Sequence, residues 1–88
     1  MQKTLAIINE KGLHARAAAK FVETVEQFDA SARVTKDDER VGGDSIMGLL
    51  MLAASKGTSI EVETSGTEAE ALMAALEALV DDYFGEGK

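Results

Sequence analysis

The chain has 88 residues, no cysteine, a single histidine and a formal net charge of −7. That length bounds it to one small domain, residues 1–88, with a modest but sufficient core. The missing cysteines exclude disulfides and thiol chemistry and, with one histidine, leave no zinc ligand set, while the acidic balance argues against nucleic acid as a partner.

No run approaches the roughly 20 apolar residues that span a bilayer, and no signal peptide is visible. The expectation is a cytoplasmic protein without membrane insertion. The charge is unevenly placed. Residues 1–20 hold Lys3, Lys11, Arg16 and Lys20 against Glu10 alone, whereas from Glu61 onward eight acids face only Lys88. The one locally basic stretch therefore surrounds His14.

Residues 2–8 are rich in Ile, Leu and Thr and read as a strand, and Asn9 to Gly12 reads as a loop. Over 15–28 the apolar residues Ala18, Phe21, Val22, Val25 and Phe28 fall at helical spacing and make one stripe, with His14 at or near the N-cap. Ser31 to Lys36 alternates as a half-buried strand. Asp37-Asp38-Glu39 makes a turn, and Arg40-Val41 can pair back as a short third strand. Gly42-Gly43 then frees the backbone.

Either Asp44 or Ser45 is placed to cap a helix opening at Ile46, and Gly57 reads as its stop. The segment from Ile46 to Ala54 is apolar nearly all round, so its surplus, Ile46 and Met47, is expected as an exposed patch for a partner. Ser59 to Thr64 alternates again. Thr67 and Glu70 are spaced as a capping box, and the helix that follows is expected to bury Ala69, Leu72, Met73, Leu76, Val80 and Phe84. Gly85 to Lys88 reads as a frayed tail. The order βαββαβα implies an α+β two-layer open-faced sandwich: a four-stranded antiparallel sheet covered on one face by three helices.

The chemistry gathers at Gly12-Leu13-His14-Ala15-Arg16. A lone histidine is ordinarily structural or merely exposed. Here a glycine-led loop delivers it to a helix start, where free N–H groups and the helix dipole favour an anion. Arg16 adds a planar fork of donors. A neutral imidazole in that place is a candidate nucleophile for a phosphoryl group. Ser45 reads first as an N-cap. A phosphate on it would put about −1.5 to −2 charges beside Ile46 and Met47, an arrangement suited to an off-switch. Gly42-Gly43-Asp44-Ser45 lacks the spacing of a nucleotide-binding loop, and no motif calls for a cofactor or a metal.

With these residues in view the chain resembles the HPr family, the histidine phosphocarriers of the bacterial phosphotransferase system. The resemblance covers nearly the whole chain. It is carried by Gly12-Leu13-His14-Ala15-Arg16-Ala17-Ala18-Ala19-Lys20-Phe21-Val22 and by Asp44-Ser45-Ile46-Met47-Gly48-Leu49-Leu50-Met51-Leu52, followed by Lys56-Gly57. It implies a carrier, not an enzyme: His14 would accept a phosphoryl group on Nδ1 from Enzyme I, charged by phosphoenolpyruvate, and pass it to an EIIA-type protein, with Arg16 neutralising the phosphoryl oxygens. It further implies Ser45 as the site of HPr kinase/phosphorylase, a partner surface of Ala15, Lys20, Ile46, Met47 and Leu50, and a monomer that takes part in sugar transport.

Three features depart from the common pattern. Ala17 stands where many members have Pro, and Glu23 and Glu26 lie where many have lysines. The run Leu49-Leu50-Met51-Leu52 is similar to the nitrogen-type branch, which acts by phosphorylation-dependent docking rather than sugar uptake. Two other readings stay open: a small phosphatase using Asn9 or Glu10 to position water, and a regulatory binding module.

Overall fold

The computed structural model describes residues 1–88. Alternating apolar residues build the sheet: strands β1 (Gln2–Ala6), β2 (Ser31–Lys36), β3 (Glu39–Gly42) and β4 (Ser59–Ser65) lie in the order β1-β4-β2-β3, all antiparallel. The register pairs Leu5 with Ile60 and Val34 with Val62, so one face of the pleat is continuously apolar. Against it pack α1 (Ala15–Glu26), α2 (Ile46–Met51) and α3 (Ala69–Asp81). The shared core includes Phe21, Leu49, Leu72 and Leu76, each withdrawn from water. The expected βαββαβα sandwich is the observed one. No helix is long and apolar enough to cross a membrane.

Several local expectations are corrected. Strand β1 ends at Ala6 rather than at residue 8, because Ile7 leaves the ladder to exchange backbone bonds with Gly57 and Thr58. Helix α1 stops at Glu26, with Gln27 as its C-cap. Helix α2 stops at Met51, well short of Gly57. There Ala53 turns left-handed, at φ 52°, so that the next residue can offer its carbonyl to Leu13. Ala69 is half-buried rather than buried.

The capping box does not form. Glu68 is the N-cap of α3, without a side-chain cap bond. A tertiary tie displaces the local motif: the Asp29 N–H donates to the Glu68 carboxylate at 2.6 Å and the Glu68 N–H to the Asp29 carbonyl at 3.0 Å. The largest correction is at the end of the chain. Gly85 to Lys88 do not fray, since Glu86 and Lys88 are both hydrogen-bonded to the loop before α1. An irregular turn at Tyr83–Gly85 buries Phe84 completely and sends the backbone over the start of α1.

Candidate functional site

The loop before α1 is fixed from beneath. Asn9 is fully buried, and its side-chain amide donates to the Gly12 carbonyl and to Glu86 Oε1, each at 2.9 Å. Both partners are acceptors, so the amide must present its NH₂ to them. Gly12 has φ +65°, and a Cβ there would lie 2.5 Å from the carbonyl oxygen of Ala54. Only glycine fits both the backbone angle and the space. Leu13 then inserts its side chain into the core and donates its N–H to that same carbonyl at 2.8 Å. The loop thus rests on the exit of α2.

His14 follows as the N-cap of α1, with extended backbone and its carbonyl accepting from Ala18. Its side chain makes no cap bond and remains 27% exposed. The N–H groups of Ala15, Arg16 and Ala17 precede the first helical hydrogen bond and point toward the loop side. The imidazole Nε2 is hydrogen-bonded to Glu86 Oε2.

Glu86 reaches the ring because the last residues are held at four points. Phe84 is buried, and its carbonyl accepts from Lys20 Nζ at 2.7 Å. The Glu10 N–H donates to the Lys88 carbonyl, and Asn9 holds the carboxylate. Tyr83 and Phe84 are both left-handed, at φ 57° and 52°. Such residues cost on the order of 1–3 kcal/mol each, a strain that burying the Phe84 ring offsets by about 1.5–3 kcal/mol. The Glu86 side chain is 12% exposed. Burial alone would raise its carboxyl pKa. Hydrogen bonds from Asn9 and His14, with the charges of His14 and Lys11, outweigh that and hold it below the ordinary 4.5.

Arg16 is exposed and makes no hydrogen bond to His14. It walls a cavity of about 250 Å³ with Lys11, Lys20 and Lys88, opposed by Glu10 and Glu86. The histidine opens instead onto a shallow groove with Leu13, Leu50, Ala53 and Ala54. Glu86 stands between the two, bonded to the ring and facing the cations. Of the expected partner surface, Ala15 is exposed, Leu50 is half-buried in the groove, and Ile46 and Met47 project into solvent, Met47 at 68% exposure. Lys20 is committed to the Phe84 carbonyl.

Sequence reasoning missed three contributors. Met51, 67% exposed, follows Met47 by four residues, and that i,i+4 spacing was the available signal. Glu86 gave no local signal, and Asn9 was named only as a loop residue that could position water, because what joins both to His14 is tertiary. Of the two candidate caps on α2, Ser45 is used: its Oγ accepts from the Gly48 N–H at 3.0 Å, while Asp44 lies exposed.

The family described as "PTS HPr component phosphorylation site" matches residues 1–82. The phosphocarrier protein HPr of Neisseria meningitidis serogroup A is 53% identical over 88 residues, 100% of this chain and 99% of that protein. An HPr crystal structure from Thermoanaerobacter tengcongensis superposes with TM-score 0.93 at 38% identity, covering 98% of this chain and 97% of that one. An HPr dimer from the same organism superposes with TM-score 0.78 at 39% identity, over 93% and 94% of the two chains. Fold and relatives define a phosphocarrier, a protein that carries a group rather than one that turns over a substrate. The chain belongs to the HPr family of the phosphotransferase system.

Proposed function

We propose that His14 is the phosphoryl-accepting residue, receiving the group on Nδ1 from a phosphorylated Enzyme I and passing it to an EIIA-type acceptor, and that residues 1–88 do so as one unit. The observation that carries this reading is the presentation of the ring. His14 sits at the start of α1, its Nε2 is engaged by Glu86, and its Nδ1 makes no hydrogen bond within the chain. A phosphoryl group on Nδ1 would meet the first-turn N–H groups and the field of Arg16, a surface effect of about 0.3–1 kcal/mol. That is modest stabilisation, as a carrier that must release its cargo requires. Ile46, Met47, Leu50 and Met51 form the apolar docking surface, and Ser45, at its edge, is the site for HPr kinase/phosphorylase.

The experiment is incubation with the Enzyme I of the same cell and labelled phosphoenolpyruvate. The expected result is acid-labile, base-stable label on His14 that is absent from His14→Ala. Equal labelling of that variant would overturn the assignment. A second reading, nitrogen-type regulation in place of sugar uptake, is supported by the run Leu49 to Leu52 and by the breadth of the patch that Met51 extends. Delivery of the label to a sugar-type rather than a nitrogen-type acceptor decides between them.

A further inference from the structure

Glu86 lies 72 residues from His14 in the chain, yet its carboxylate is bonded to both the imidazole Nε2 and the Asn9 amide. The contact is not needed to hold the last residues down. Buried Phe84, the Lys20 bond to its carbonyl and the bond between Glu10 and Lys88 already do that. A fully buried side chain, Asn9, commits one N–H to aiming the carboxylate. The carboxylate is ionised at neutral pH and accepts only, so the ring nitrogen facing it carries the proton.

We propose that Glu86 is a positioning residue for His14: it holds the proton on Nε2, so that Nδ1 offers a lone pair before phosphoryl transfer and the ring keeps its Nε2 proton afterwards. This rests on the reading of His14 as the phosphoryl acceptor. In the transfer, the Nδ1 lone pair forms the new N–P bond as the bond from phosphorus to the donor's carrying atom breaks, and the donor leaves with that electron pair. No proton moves. His14, which has shared its Nδ1 lone pair and kept its proton, then carries a positive charge, and its Nε2–H points at a carboxylate. When the group is passed on, the same retained proton lets His14 leave as a neutral imidazole. The second ring nitrogen is a well-known place to set a tautomer, and where such a carboxylate is deeply buried its loss costs about 10⁴-fold in rate. Here the pair is partly exposed, so the expected effect is smaller.

The test compares wild type, Glu86→Gln and Glu86→Ala, the last because a glutamine carbonyl can still accept from Nε2–H. With ¹⁵N-labelled histidine, long-range ¹H–¹⁵N correlations on the unphosphorylated protein are expected to show only the Nε2–H form in wild type and a visible Nδ1–H fraction in Glu86→Ala. After phosphorylation at neutral pH, the Nε2 resonance is expected to be that of a protonated nitrogen in wild type and to move toward the unprotonated position in Glu86→Ala. Transfer is expected to lose about tenfold in kcat, the equivalent of one partly screened charge-assisted hydrogen bond, with KM for the donor changed by less than about twofold. Unchanged ring resonances with wild-type kcat overturn the proposal, and so does a loss confined to KM. If wild-type His14 takes no label, the reading of the site fails instead, while the tautomer comparison, which needs no partner protein, still decides the role of Glu86.

Discussion

Two helix starts, at His14 and at Ser45, use the same position in opposite ways. Both residues are N-caps with extended backbone, and each lends its carbonyl to the first helical hydrogen bond. Ser45 also gives its side chain to the helix, accepting from the Gly48 N–H. His14 gives its side chain nothing to do in its own helix. Its ring is held from outside, by a carboxylate more than seventy residues away. A cap that satisfies its helix is structure first, and chemistry on it must displace a bond. A cap supported from elsewhere leaves the free N–H groups of the first turn available to an incoming group.

The largest expected effect breaks the first start and spares the second. Phe84→Ala removes the buried ring that anchors the last residues, and should cost about 3–5 kcal/mol in equilibrium unfolding. In the folded fraction the His14 ring should lose its carboxylate, seen as a shift of its ring resonances, while the Gly48 amide, hydrogen-bonded to Ser45, stays protected from exchange.

Next comes the second start. Ser45→Ala should cost about 1 kcal/mol by loss of the cap, with phosphoryl transfer at His14 preserved. Ser45→Asp keeps a capping oxygen and should hold stability close to wild type. By placing a charge beside Ile46 and Met47, it should slow transfer. Denaturant melts and single-turnover transfer, measured on both variants, separate the two roles. Slowed transfer in Ser45→Ala but not in Ser45→Asp would invert the assignment.

The smallest effect is one of pH. Glu86 titrates below its ordinary 4.5 in the folded protein, so its contribution is present in full above that value. It is lost as pH falls from there through the lower folded pKa. Followed by NMR, the carboxyl resonance should titrate in that window, together with the Asn9 amide and the backbone of residues 84–88. The Ser45 cap, which has no ionisable group, should not respond.

What was legible in the sequence follows from how local its cause is. Alternation at Ser31 to Lys36 and at Ser59 to Thr64, and helical spacing from Ala18 to Val25, sufficed for the sheet and helices because pleat and helix period are properties of neighbours. His14 and Ser45 were legible as caps for the same reason. The end of α2 was not, since a left-handed alanine at Ala53 is imposed by the bond from Leu13 to Ala54, which joins two distant segments. Thr67 and Glu70 carried the right local signal and lost to a bond between Asp29 and Glu68. The tail was misread because Gly85-Glu86-Gly87-Lys88 is polar and glycine-rich. Its one clue was Phe84, an apolar residue expected in the core directly before a segment expected to fray.

The contacts that complete the site span 72 residues between His14 and Glu86 and 77 between Asn9 and Glu86. Closing loops of that length is an entropic cost that local bonds do not carry. It is met by the sheet and helices in between, which bring the two ends of the chain together. During synthesis the histidine emerges 72 residues ahead of its carboxylate. The His14 ring is therefore fully furnished only once the sheet and helices between the two segments have folded, which ties the setting of the ring to assembly of the core.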